Sequence, residues 1–327
     1  MVINQPDRQR VPGDWDVYWT GTHENAAHQE GGPQEEVLEK FWLTFFADSY
    51  AQNGSAEGQR RLLDMACGNG AVTGFANRGS PEFDSFSLDS SVNALRELGK
   101  RYPETTCVAA DALHTPFQSG CFDLVVSQFG IEYAGIDTFD EAARLVAPGG
   151  SFGAIVHLHK GAIYQECSDN LDAIDTIIKI KLLKLARNAF NAGFALNAGT
   201  GSVKVFKTAE RKLKPAIRAL ESILQEMGND VAAGLAKQMY EDIAYMYKRM
   251  SSFDRREVIA WLDGMVKELK AYRGRMSSMM NSAVDKNGIE TIKQKLETRG
   301  LTQQRCETLD MGPQQESAAW VIVCKGH

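Results

Sequence analysis

The chain has no apolar run close to the ~20 residues that a membrane helix needs, so a membrane span is not expected. Residues 1–16 are polar, contain Pro6 and Pro12, and lack the apolar centre of a secretory signal. Cysteine is scarce: the six residues Cys67, Cys107, Cys121, Cys167, Cys306 and Cys324 form no CxxC pair and show no metal-ligand spacing. They read as reduced, mostly buried thiols of a cytoplasmic protein without a metal centre. Excess charge is also small, and a net −6 argues against general nucleic-acid binding. Internal repeats and low-complexity tracts are absent. What remains is a 327-residue composition, 43% hydrophobic and 24% charged, of an ordinary globular protein with room for one large domain or two.

The charge is unevenly spread. Residues 160–286 carry 21 Lys and Arg against 15 Asp and Glu, which marks them as a distinct piece of an otherwise acidic chain. Before residue 60, Trp15, Tyr18 and Trp19 crowd into a polar stretch. A helical pattern then covers residues 34–50, with Val37, Phe41, Phe45 and residues 47–50 on one face. Strand patterns follow at residues 61–66, 83–88, 105–109, 122–127 and 151–159, separated by helical ones that end near Arg101 and at Pro148-Gly149-Gly150. Ser90 or Ser91 can cap the first of these helices. Such alternation predicts a doubly wound parallel sheet.

The alternation then stops. Helical periodicity runs through residues 163–194, 209–227, 230–250 and 255–283, with breaks at 199–201, Pro215 and Gly228. A helix at 289–298 and strands at 301–309 and 318–324 close the chain, the last two pairing antiparallel across a short polar turn. The expected organisation is an N-terminal helical cap (1–59), a core (60–159 with 287–327) and a helical insertion (160–286).

The segment Leu63-Asp64-Met65-Ala66-Cys67-Gly68-Asn69-Gly70 is the first chemical signal. A strand breaks here into a glycine turn and restarts as a helix near Ala71, a geometry that lets a ligand approach the backbone. A tight strand-to-helix corner is the plain alternative. Acids at successive strand ends favour the ligand. Asp64 lies just below the glycines; Asp89, past the second strand, can accept both hydroxyls of a ribose; Asp111, past the third, can accept from an adenine amino group. Tyr18 or Trp19 can cap such a pocket.

Together these stretches resemble the class I S-adenosylmethionine-dependent methyltransferases over about 40% of the chain, residues 60–159 and 288–325. Residues 63–70 resemble the first motif, with Ala66 one methyl larger than the commoner glycine. Leu88-Asp89 resembles the ribose-binding acid and Ala110-Asp111-Ala112-Leu113 the adenine-binding acid. Phe122-Asp123-Leu124-Val125 resembles the fourth-strand motif, and Leu145-Val146-Ala147-Pro148-Gly149-Gly150 the loop before strand five. The resemblance implies an α/β, doubly wound (Rossmann-like), seven-stranded, mostly parallel sheet with an antiparallel last strand and a large helical insertion between strands five and six. It also implies S-adenosyl-L-methionine as methyl donor and S-adenosyl-L-homocysteine as product. Tyr18, Asp64, Ala66, Gly68, Asn69, Gly70, Asp89, Ser90, Asp111, Ala112 and Gln128 then form the cofactor set, with Gly68 and Gly70 against the methionine part and Gln128 beside the sulfonium. A nicotinamide-dependent oxidoreductase is the nearest rival. Its G-x-G-x-x-G template fails at Thr73, and it leaves Asp111 without a role.

Methyl transfer is an in-line displacement that needs alignment, and a base only if the acceptor must lose a proton. His157, with Tyr133 and Glu132, is the candidate catalytic group at the carboxyl edge. Ser127-Gln128-Phe129-Gly130-Ile131 is not the Asn/Asp-Pro-Pro-Tyr/Phe type used on nucleobase amines. The insertion occupies the position where the resembled family elaborates substrate recognition, so the expected acceptor is a small molecule, methylated on O or N and enclosed by it. RNA or protein acceptors are the alternatives. A homodimer surface using Met276, Met279 and Met280 is a second reading of the insertion.

Overall fold

The computed structural model describes residues 33–52, 59–79, 83–311 and 316–327. Tyr18 and Trp19 lie outside them. The chain divides into two compact units, residues 1–165 with 278–327, and residues 166–277.

The first unit is built on a seven-stranded sheet in the order β3-β2-β1-β4-β5-β7-β6. Its strands are β1 (Arg60–Met65), β2 (Phe83–Asp89), β3 (Thr106–Ala109), β4 (Phe122–Gln128), β5 (Val146–His157), β6 (Leu301–Met311) and β7 (Glu316–Gly326). The first five pair in parallel, and β7 runs antiparallel to both β5 and β6. Leu62, Leu63, Leu124, Val125 and Val126 are all at most 1% exposed, as central strands covered on both faces must be.

Helix α1 (Pro33–Gln52) lies against β5 and α2 (Ala71–Gly79), while α4 (Thr138–Leu145) packs with the chain's last helix, α10 (Lys286–Thr298). Phe139, Ala142, Ile289, Ile292 and Leu296 join the sheet residues Phe122, Val125, Phe152 and Ile322 in one buried cluster. Helix α3 (Val92–Arg101) is capped by Ser91, whose Oγ accepts from the Ala94 N–H at 3.2 Å.

Two expectations about this unit need correction. The apolar face of α1 is not Val37 with residues 47–50. Leu38, Phe41, Trp42, Phe45, Phe46 and Ser49 are buried, whereas Ala47, Asp48 and Tyr50 are exposed. The aromatic ladder at helical spacing dominates over the smaller residues at the helix end. The helix expected to reach residue 147 stops at Leu145, because Val146 already pairs with Phe122 and starts β5 through an irregularity that contains Gly149 at φ +71°.

An ionic clamp fixes the segment between β3 and β4. Glu141 Oε1 accepts from the Thr115 N–H at 3.0 Å and the Thr115 hydroxyl at 2.6 Å, and Arg144 donates to both of its oxygens at 2.7 Å. Burial raises the Glu141 pKa, but the Arg144 and Thr115 hydrogen bonds outweigh it and bring the carboxyl down from 4.5 to about 2. A carboxylate depressed in this way stabilises the fold above its unfolded pKa, and the contribution disappears as pH falls through 4.5 toward 2. Urea unfolding should therefore show the wild type losing on the order of 2 kcal/mol from this group between neutral pH and pH ~2, and Glu141→Gln should flatten that part of the acid limb. An unchanged acid limb would mean that the clamp contributes nothing.

The second unit contains α6 (Leu182–Asn197), α7 (Val203–Met227), α8 (Leu235–Lys248) and most of α5 (Ala162–Lys179) and α9 (Arg255–Ser282). It has its own core, including Ile174, Leu182, Phe190, Leu220, Met239 and Leu262. Residues 163–194 are not one helix: Lys181, at φ +57°, separates α5 from α6 and leaves Ile178 43% exposed. Pro215 does not break α7. Leu213, Ala216, Leu220 and Ile223 all bury on the same helix, and this packing outweighs the hydrogen bond that proline removes. All six cysteines are free; Cys67, Cys167 and Cys324 are buried, whereas Cys107 is exposed, so "mostly buried" overstated the case.

Candidate active site

The carboxyl ends of β1 to β5 carry the expected residues in order. At β1, the backbone winds through Ala66 (φ +53°), Gly68 (φ +53°) and Gly70 (φ +90°), three left-handed residues in alternation. Gly70 rests on Leu98 of α3, where a Cβ would come within 2.8 Å of the side chain. The turn is closed by Gly70 N–H to Cys67 O at 2.9 Å and joined to β2 by Cys67 N–H to Leu88 O at 3.0 Å.

Asp64 is 1% exposed, and its Oδ2 accepts from the backbone N–H of Thr73 at 3.1 Å and its hydroxyl at 2.8 Å. It therefore holds the first turn of α2 from beneath. Burial drives its pKa up to about 7; the Thr73 hydrogen bonds oppose that rise and the nearby Asp89 charge adds to it. Thr73, where a dinucleotide fingerprint would need glycine, thus has its own structural task. Burial also pushes the Cys67 thiol well above its ordinary range.

Asp89 closes β2. Its Oδ2 accepts from Gly68 N–H and its Oδ1 from Ser91 N–H, both at 2.8 Å, so one carboxylate ties the glycine turn to the start of α3. Ser90 beside it is exposed and Asn69 is buried. One strand further, half-buried Asp111 accepts from Leu113 N–H at 3.0 Å and shapes the turn that carries buried Ala112.

The acceptor-side residues lie beyond β4 and β5. Ser127, fully buried, donates from its hydroxyl to Met65 O at 2.7 Å and accepts from Ile131 N–H at 3.2 Å, coupling β1 to the short helical turn Ile131–Ala134. Gln128 Oε1 accepts from the indole N–H of Trp42 at 2.6 Å. Phe129 sits at φ +50°, a costly conformation for an aromatic residue, and lays its ring 4.4 Å from that of His157. Gly130 touches the turn: a Cβ there would lie 2.5 Å from Ala66 O and 2.8 Å from Ala66 Cβ.

His157 and Glu132 meet. Glu132 Oε1 lies 2.7 Å from His157 Nδ1 and accepts the backbone N–H of the same residue at 3.1 Å, and the two residues are 2% and 4% exposed. With Glu132 as a carboxylate, Nδ1 is the ring nitrogen that donates to Oε1. Among the described residues, His157 Nε2 and Glu132 Oε2 have no hydrogen-bond partner. The Tyr133 ring stands edge-on to His157 at 5.8 Å. β5 ends at His157; His159 lies beyond it, against Tyr164.

Sequence reasoning missed Trp42, Ser127, Phe129 and Val284. Val284 receives the chain back at β5, where its N–H donates to His157 O at 2.8 Å and its carbonyl accepts from His159 N–H at 3.0 Å. Only Trp42 had a legible signal, as a large aromatic at helical spacing from Leu38, Phe45 and Phe46.

Residues 62–150, from within β1 to the start of β5, match the family model described as a methyltransferase domain. Over this stretch the core is similar to class I S-adenosylmethionine-dependent methyltransferase domains. Two curated relatives are demethylmenaquinone methyltransferases. That of Beutenbergia cavernae is 31% identical over 115 residues, 35% of this chain and 45% of its own length. That of Renibacterium salmoninarum is 33% identical over 100 residues, 30% and 40% of the two chains. The chain thus spans less than half the length of these relatives. Among solved structures, the N-methyltransferase NodS of Bradyrhizobium japonicum with S-adenosyl-L-homocysteine aligns at 18% identity, 43% and 72% coverage and a TM-score of 0.35. An S-adenosylmethionine-dependent methyltransferase of Clostridium acetobutylicum aligns at 20% identity, 37% and 51% coverage and a TM-score of 0.32. Among the described residues, no helix of the chain is long and apolar enough to cross a membrane.

Proposed function

We propose that the protein transfers the methyl group of S-adenosyl-L-methionine to a small-molecule acceptor, with S-adenosyl-L-homocysteine as the product. The observation that carries this reading is Asp89, whose carboxylate gathers Gly68 N–H and Ser91 N–H at the end of β2, one strand from Asp111. Half-buried carboxylates on adjacent strand ends suit the hydroxyls and amino group of a nucleoside, and the glycine turn with the start of α2 suits the carboxylate of an amino acid. When bound, the sulfonium supplies an activated methyl carbon.

The chain's own residues do the rest. Gly68 and Gly70 give backbone access; Asp89 and Ser90 take the ribose side; Asp111 and Ala112 take the adenine side. His157 is the proton acceptor: Glu132 holds its Nδ1–H, which leaves the Nε2 lone pair for an acceptor hydroxyl or amine. Tyr133 and Phe129 wall the imidazole and keep its plane fixed. The curated relatives are named for demethylmenaquinone, which makes a compound of that kind the first acceptor to try.

Isothermal titration separates this reading from its rival. S-adenosyl-L-homocysteine should bind and NAD should not; NAD binding alone would overturn the assignment.

A further inference from the structure

The end of β4 is oriented by a residue 86 positions earlier in the chain. Trp42 is 0% exposed in α1, and its indole N–H donates to Gln128 Oε1 at 2.6 Å. An indole nitrogen only donates, so the contact distinguishes the two ends of the Gln128 amide: the oxygen faces α1, and the NH2 group is the end presented elsewhere. Neighbouring residues hold the backbone still. Ser127 is bonded to Met65 O at 2.7 Å, and Phe129 N–H donates to Ile155 O at 2.8 Å. An amide set beside a sulfonium aids the cation with its oxygen, the end that carries negative partial charge. Here that oxygen is engaged, and the NH2 end carries partial charge of the same sign as the cation.

We propose that Trp42 is a positioning residue that turns Gln128 donor-first toward the transfer position. The site then favours a neutral thioether over a cation, and meets an acceptor at a lone pair rather than at an N–H. This inference rests on the methyltransferase reading and on Gln128 lying beside the sulfonium within it.

The test needs no knowledge of the acceptor. Three ligands are titrated onto the full-length protein: S-adenosyl-L-homocysteine, S-adenosyl-L-methionine, and sinefungin, which places an ammonium where the sulfonium methyl would be. In Trp42→Phe the freed amide can turn its oxygen inward. The two cationic ligands should then gain about three- to tenfold relative to S-adenosyl-L-homocysteine. In Gln128→Glu the indole retains one carboxylate oxygen while the other replaces the NH2, and the same ratio should move in the same direction by about tenfold or more. The second variant leaves Trp42 in place, so a folding defect in the first does not obscure the result. If the ratio is unchanged in both variants, or all three affinities fall in parallel, Trp42 only fills space and the inference is overturned. Wild-type protein that binds none of the three would overturn the methyltransferase reading itself, and this inference with it.

Discussion

Replacing Asp89 with alanine should weaken S-adenosyl-L-homocysteine binding by about 100-fold or more, because at least two charge-assisted hydrogen bonds of roughly 1.5 kcal/mol or more each are lost. The expectation does not rest on the ribose alone. The carboxylate also collects Gly68 N–H and Ser91 N–H at 2.8 Å, so its removal loosens the glycine turn and the start of α3 together. Asp89→Asn should fall between wild type and Asp89→Ala: it keeps one accepting oxygen but sets an NH2 against either Gly68 N–H or Ser91 N–H, so it should lose part of the stability and also bind cofactor poorly. Titration calorimetry and thermal melts on the same samples read both quantities. Unchanged affinity in Asp89→Ala would mean that the ribose assignment is wrong.

Gly130→Ala should be the most damaging single-methyl change in the core. The added Cβ would lie 2.5 Å from Ala66 O, 2.8 Å from Ala66 Cβ and 3.3 Å from Ala66 C. Two of those atoms are backbone, so no rotamer relieves the overlap, and Ala66 already occupies a left-handed conformation at φ +53°. Overpacking of this kind costs about 1–3 kcal/mol, which lowers Tm by roughly 2–12 °C, and the displaced turn should lose cofactor affinity as well. Adding Ala66→Gly removes the methyl contact but not the carbonyl contact, so the double variant should recover only part of the loss. Full recovery would show that the methyl, not the backbone, is the obstacle. Ala66 is therefore more than a glycine with an extra methyl: its Cβ and carbonyl dictate what residue 130 can be.

What could be read from the chain depended on how local the cause was. Strand periodicity, the alternating glycines and Asp64, Asp89 and Asp111 sit within single elements, and the sheet and the order of its edge residues followed from them. The acceptor side was less legible. Glu132, Tyr133 and His157 could be named from their places after strands four and five, but no spacing foretells that Glu132 would take both the ring and backbone hydrogens of His157. The orientation of Gln128 depends on an indole in another helix, and the strained Phe129 on tertiary contacts around it. In the helical unit, Pro215 looked like a break because its intrinsic cost is large, yet core packing overrode it; Lys181, which carries no breaking signal, makes the real one.

The return of the chain at Val284 also bears on how the protein folds. β5 and β7 pair Ser151 with Lys325, a contact between segments about 170 residues apart, and closing so long a loop is slow. Residues 166–277 have their own hydrophobic core, and the chain on either side of them meets in the Leu158–Val284 bridge. Once that helical unit has formed, the open chain between the two strands shortens to about 50 residues, and the entropic cost of joining them falls by roughly 1 kcal/mol. The interruption in the sheet is then a splint for the sheet's own completion, and refolding should slow if the helices are replaced by an unstructured linker of equal length.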